Sequence, residues 1–86
     1  MKKTTMFYLK NCPHCKNAQK MMDELISKNP EYKNIEIEKI EESQNVKIAS
    51  TYDYYYVPTY YVDGQKLHEG VPTLEKVENV FKKAIE

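Results

Sequence analysis

The sequence predicts an α/β domain with the order β-α-β-α-β-β-α, a four-stranded mixed sheet flanked by three helices. Three observations carry this expectation. Strand-like and helix-like apolar periods alternate along the chain. Asp63-Gly64, between two strand-like runs, is among the strongest short-range hairpin signals. Cys12-Pro13-His14-Cys15 stands where the first strand-like run gives way to the first helical one. A chain of 86 residues is expected to form one domain, residues 1–86, with a small core.

The elements follow in order. Thr4 to Leu9 is rich in strand formers and reads as the first strand. From Pro13, the positions Ala18, Met21, Met22, Leu25 and Ile26 recur at three- and four-residue steps, the period of a helix with one apolar face. Asn29-Pro30 ends it, because the residue before proline avoids the helical region. Ile35 and Ile37 alternate with Glu36 and Glu38 like a second strand. Ser43 is the expected N-cap of a second helix carrying Val46, Ile48, Ala49 and Tyr52. Thr59 to Val62 reads as a third strand, and Gln65 to His68 pairs back on it through Asp63-Gly64. Gly70 and Pro72 introduce a last helix with Leu74, Val77, Val80, Phe81 and Ile85 on one face. Strands alternating with helices imply parallel pairing through right-handed crossovers, with the hairpin adding one antiparallel edge. Most of the eight tyrosines are expected in the core, Tyr8 among them, and His68 on the surface.

Charge excludes several function classes. Thirteen basic and thirteen acidic residues leave no net charge, and the signs are interspersed. That speaks against nucleic-acid binding and against an anionic membrane surface as partner. No segment approaches the roughly 20 apolar residues of a membrane span, and the N-terminus lacks the apolar core of a secretory signal. A cytoplasmic location is expected. Two cysteines three residues apart then point to a redox pair or a metal site rather than to a structural disulfide framework.

The placement of the pair favours redox chemistry. Proline is favoured at the first position of a helix, which makes Cys12 the N-cap and puts Cys15 one turn inward. The first-turn N–H groups and the positive helix end favour a thiolate at Cys12. Thiolate is the species that attacks disulfides. His14, if protonated, adds to this stabilisation and shifts the pair toward oxidising potential. Lys10 and Lys16 flank the motif. Zinc fits poorly, because a tetrahedral site needs four ligands, only His14 and His68 remain as further soft ligands, and His14 lies inside the motif, where joint ligation with both cysteines is sterically awkward. Copper(I), which needs only two thiolates, survives that test.

A second motif is Val57-Pro58-Thr59, immediately before the third strand and expected beside the end of the first. With Asn11-Cys12-Pro13-His14-Cys15, Asp63-Gly64 and Gly70 before the last helix, it spans nearly the whole chain in an order that resembles the thioredoxin superfamily, and within it the glutaredoxin-like branch. The resemblance implies a thioredoxin/glutaredoxin-like fold and a thiol–disulfide oxidoreductase. It casts Cys12 as nucleophile, Cys15 as resolving cysteine and Pro58 as a cis-proline. Val57, Pro58, Thr59, Lys10 and Gly70 become candidate substrate-binding residues, with His14 and Pro13 tuning the Cys12 thiol. The resemblance implies a monomer with no metal, and no cofactor beyond the redox-active disulfide of Cys12 and Cys15. Expected partners are a disulfide-bearing protein or a low-molecular-weight thiol, with a thioredoxin reductase as an alternative electron source. Glutaredoxins that use glutathione usually open the last helix with Gly-Gly and acidic residues. Here the stretch is Glu69-Gly70-Val71-Pro72-Thr73, and Glu69 adds negative charge where a glutathione carboxylate would approach. The alternative reading is a metal-binding module, a copper(I) carrier or an iron–sulfur-bridged dimer, using the same two cysteines.

Overall fold

A computed structural model of the chain covers Met1–Glu86. Strand β1 (Thr4–Tyr8) lies between β2 (Ile37–Glu41) and β3 (Thr59–Val62), and β4 (Gln65–Glu69) completes a sheet of order β2-β1-β3-β4. Because side chains alternate across a strand, β1 and β3 feed two cores. Met6, Tyr60 and Val62 join one face, which helices α1 (Pro13–Lys28) and α3 (Leu74–Ile85) cover through Ala18, Met22, Leu25, Val77, Val80, Phe81 and Ala84. Phe7, Ile40 and Tyr61 join the other, under Ala49, Tyr52, Tyr54 and Val57. Burial on both sides explains why β1 and β3 read as near-continuous runs of strand formers.

Helix α1 begins at Pro13 with Cys12 as its extended N-cap, and ends at Asn29, whose side chain accepts the Glu31 N–H. The expected strand at Ile35 begins two residues later. Pro30–Asn34 forms a 3₁₀ turn instead, which buries Tyr32 against Phe81 with ring centroids 5.2 Å apart and lets its hydroxyl donate to Glu78 at 2.9 Å. Ile35 caps that turn and enters the core.

The second helix is shorter than expected. A 3₁₀ turn, Glu42–Gln44, precedes α2 (Val46–Ala49), and Asn45, not Ser43, is the N-cap. The Ser43 N–H and hydroxyl both donate to the Glu41 carboxylate, which satisfies them without a helix. Val46 and Ile48 stay exposed, because a single turn cannot present all its apolar residues to one surface. The expected parallel pairing of the third strand is overturned: β1 pairs β2 in parallel but β3 antiparallel. No helix long enough to lie back along the sheet links β2 to β3, and the chain enters β3 at the end where it left β2.

Asp63 and Gly64 both take positive φ, 50° and 78°, the two-residue hairpin geometry that matches strand twist. Thr73 caps α3 by accepting the Lys76 N–H at 3.1 Å. Tyr8, at the strand's end, is only half-buried. His68, expected on the surface, is buried: it lies opposite Tyr60 on the helix-covered face, and its Nε2 is 2.9 Å from the Gly70 carbonyl oxygen.

Phe7 is fully buried, with ring centroids 4.7 Å from Tyr52 and 4.9 Å from Tyr54. Phe7→Ala should therefore cost about 3–5 kcal/mol in denaturant unfolding. Near-neutral stability would mean that this aromatic face packs too loosely to hold the segment before β3.

Candidate active site

Cys12 follows the turn that leaves β1, and its carbonyl accepts the Lys16 N–H at 3.1 Å to close the first turn of α1. The helix therefore presents its free N–H groups to the Cys12 sulfur. Partial burial pushes this thiol up, but the Cys15 N–H, the Cys15 thiol and the His14 N–H, placed to stabilise negative charge on its sulfur, outweigh it and hold Cys12 below its ordinary range. His14 thus acts on Cys12 through its main chain, and its imidazole is exposed. Cys15, only 4% exposed, moves the other way. Burial pushes it up to about 12; the Leu9 main chain pulls it down, while the Cys12 and Glu42 charges raise it further. Both cysteines are free thiols here. The more exposed sulfur is thus the one more readily deprotonated and the other a shielded thiol one turn behind it, which is the division that a two-step exchange needs.

The antiparallel β1–β3 pairing supplies the facing wall. Phe7 opposes Thr59, so the turn after β1 and the residues before β3 leave the sheet at the same end. The Val57–Pro58 peptide bond is cis, as the resemblance implied. The main-chain N–H and C=O of Val57 make no hydrogen bond within the chain. The Pro58 carbonyl is taken by the Gly70 N–H at 3.0 Å, and the Thr59 hydroxyl donates to the Tyr56 carbonyl. Gly70 thus braces Pro58 from behind, with φ 94°, a conformation that side-chain-bearing residues rarely adopt. Lys10 is exposed beside Cys12, and its N–H donates to the Glu41 carboxylate at 3.0 Å.

Glu69 is the residue that sequence reasoning misjudged. Its carboxylate does not stand free to repel a ligand. It accepts the Lys66 ammonium at 2.7 Å and the N–H groups of Tyr55 and Tyr56 at 2.5 and 2.9 Å. The Lys66 contact first, then the two N–H groups, hold it at about 2. Lys66 also donates to the Asp53 carbonyl, so one ion pair clasps the segment that precedes Pro58. Beside the clasp, Tyr55 and Tyr56 stand in solvent, 87% and 70% exposed, with the Tyr56 Cβ near Gly70. No local signal announces this, because it joins residues 13 and 14 positions apart across a turn.

Residues 3–82 match the family model described as the thioredoxin domain. A thioredoxin from Methanocaldococcus jannaschii is 30% identical over 83 residues, covering 96% of this chain and 95% of that protein. Among solved structures, a malarial protein superposes with TM-score 0.73 at 19% identity, covering 100% of this chain and 99% of its own. A single-site mutant of thioredoxin from Halobacterium salinarum has TM-score 0.70 at 21% identity, covering 99% and 75%. Thioredoxin from Fasciola hepatica has TM-score 0.69 at 20% identity, covering 96% and 80%. At these identities the structures share the fold.

The clasp carries a pH signature. Glu69 is held below its ordinary value of 4.5, so its stabilisation is full above pH 4.5 and is lost as pH falls through about 2. Glu69→Gln should remove that part of the acid dependence, read as unfolding midpoint between pH 5 and 2, and should speed amide exchange at Tyr55 and Tyr56. Unchanged exchange at both amides would show that the clasp does not order the segment.

Proposed function

Because the chain belongs to the thioredoxin family, and is in that broad sense a thiol–disulfide oxidoreductase, we propose that it exchanges electrons with protein disulfides through Cys12 and Cys15. The Cys12 thiolate attacks a client disulfide and a mixed disulfide forms. Cys15 then displaces the reduced client and leaves the Cys12–Cys15 disulfide. The observation that carries this reading is the opposite displacement of the two thiols, Cys12 lowered at the helix N-cap and Cys15 raised by burial behind it. Val57, with its main chain unpaired beside Pro58, offers a donor and an acceptor to an extended client segment. Tyr55 and Tyr56 add exposed aromatic surface next to them. His14, when protonated, adds positive charge beside Cys12 in the same sense as the helix end.

Two engaged groups favour protein clients over the glutathione chemistry of glutaredoxins. Glu69 is committed to its clasp and the Thr73 hydroxyl oxygen accepts the Lys76 N–H, so neither offers a free acceptor at the start of α3 to the amine of a tripeptide ligand. The reductant on this reading is a thioredoxin reductase or another low-molecular-weight thiol. No helix of the chain is long and apolar enough to cross a membrane.

The test is the reduction potential of the Cys12–Cys15 pair in glutathione buffers, followed by turnover with a reductase-coupled or a glutathione-coupled supply. A two-electron transition near the thioredoxin value of about −270 mV, with reductase-coupled turnover, supports the proposal. A value of about −200 to −230 mV with glutathione-coupled turnover would move the protein to the glutaredoxin side. Thiols that form no disulfide but hold copper(I) or a cluster would replace the exchange reading by the metal-binding one. In the same assay, Cys12→Ser should abolish turnover, whereas Cys15→Ser should accumulate a client mixed disulfide visible by mass.

A further inference from the structure

His68 is a buried imidazole that the exchange reaction itself does not use. It closes β4 together with Glu69, and side-chain alternation sends the two to opposite faces of the sheet. His68 turns to the helix-covered face, opposite Tyr60, and its Nε2 lies 2.9 Å from the Gly70 carbonyl oxygen. A carbonyl oxygen only accepts, so Nε2 carries the proton and donates it. No turn or loop N–H reaches that carbonyl, which leaves His68 as its partner. The Tyr60 ring lies 6.2 Å from the imidazole, and the Tyr60 hydroxyl, buried without a hydrogen-bond partner, makes no competing bond to it.

Gly70 is the residue that this bond steadies. It sits at φ 94°, and without a side chain it has more conformational freedom to lose than any other residue type. The peptide groups on its two sides are each tied down once. The N–H on one side donates to the Pro58 carbonyl at 3.0 Å, and the carbonyl on the other accepts from His68. Glu69 meanwhile accepts the Tyr55 and Tyr56 N–H groups, and the Thr59 hydroxyl donates to the Tyr56 carbonyl. Main-chain atoms on either side of Val57 are therefore engaged, while Val57 keeps its own N–H and C=O unpaired. We propose that His68 is a positioning residue for client binding. By holding the Gly70 carbonyl it keeps the Gly70 N–H on the Pro58 carbonyl, and through Pro58 it fixes the Val57 edge. This rests on the reading that the Val57 main chain receives an extended client segment.

On this assignment the imidazole acts on binding and leaves the chemistry alone. His68 lines neither of the cavities that Cys12 and Cys15 line, and the Cys12 sulfur is tuned on another element, at the start of α1. An interaction that holds ground and transition states equally changes the concentration for half-saturation and not the limiting rate. A client without a peptide main chain gains nothing from an ordered Val57 edge and is indifferent to residue 68. Two substitutions separate the donor from the volume it fills. Glutamine and methionine are unbranched and of nearly equal length. Glutamine carries an N–H donor the same number of bonds from Cβ as Nε2, and methionine carries none.

The test uses the intact chain in its dithiol form with two disulfides. One is a short extended peptide joined through its cysteine sulfur to nitrothiobenzoate; the other is dithiobis(nitrobenzoate), which has no peptide main chain. In both, the Cys12 thiolate bonds one sulfur, the original S–S bond breaks, and its electron pair leaves on nitrothiobenzoate, whose colour is read. In His68→Met the peptide concentration for half-maximal rate should rise about fivefold. The limiting rate and the rate on dithiobis(nitrobenzoate) should stay unchanged, and His68→Gln should restore the wild-type value. Equal shifts in both variants would make His68 a packing residue and overturn the proposal, as would slowing on both disulfides or no shift at all. In the unaltered protein, nitrogen NMR of the imidazole should place its proton on Nε2, shielded from exchange. A proton on Nδ1 alone would remove the bond and the proposal with it. If the wild-type protein releases no nitrothiobenzoate from either disulfide, the exchange reading itself fails and the role of His68 with it.

Discussion

Antiparallel pairing of β1 with β3, with Phe7 opposite Thr59, is the constraint on which the rest of the molecule depends. It brings the turn that carries Cys12 and the segment that carries Val57 and Pro58 out of the sheet at one end. It also sets the two cores. Met6 and Tyr60 go under α1 and α3, and Phe7 and Tyr61 go under the aromatic segment. Had β3 run the other way, Pro58 would have faced the opposite end of the sheet, about 17 Å from the thiols.

On that frame the two cysteines acquire different chemistry from one local cause and one global cause. The helix N-cap is local: Pro13 starts α1 and its first-turn N–H groups point at Cys12. The burial of Cys15 is global, because α1 lies on the sheet with Cys15, Ala18 and Met22 turned inward. The first lowers a thiol and the second raises one. A chain of this size has no room for a deep cleft, and the site is accordingly a surface junction of two turns and a helix end. The Glu69 clasp belongs to the same economy. It gives an irregular segment a fixed place without a further layer of core, through charge-assisted hydrogen bonds to main-chain N–H groups.

Much of this was legible from residue patterns because its causes are local. The α1 period, the Asp63-Gly64 turn, the Pro13 helix start and the Cys12–Cys15 spacing all express rules that act within a few residues. What could not be read depended on partners distant in the chain. Ser43 looked like a helix cap, but a carboxylate two residues earlier took both its donors. His68 looked like a surface residue, yet strand pairing set it against Tyr60 beneath α3. Glu69 read as a free charge until the hairpin carried it to the Tyr55 and Tyr56 amides. Val46 and Ile48 were expected on a longer second helix, and the single turn that forms leaves them exposed.

By itself, then, the sequence determined the order of elements, the helix-start dithiol and the proline motif, since periodicity, capping and turn preference are short-range properties of the chain. The direction of β3, the separate environments of the two thiols, the clasp around the tyrosine pair and the unpaired hydroxyl of Tyr60 were decided by the tertiary structure. Each depends on which surfaces meet, and that is settled by packing rather than by any residue's own preference.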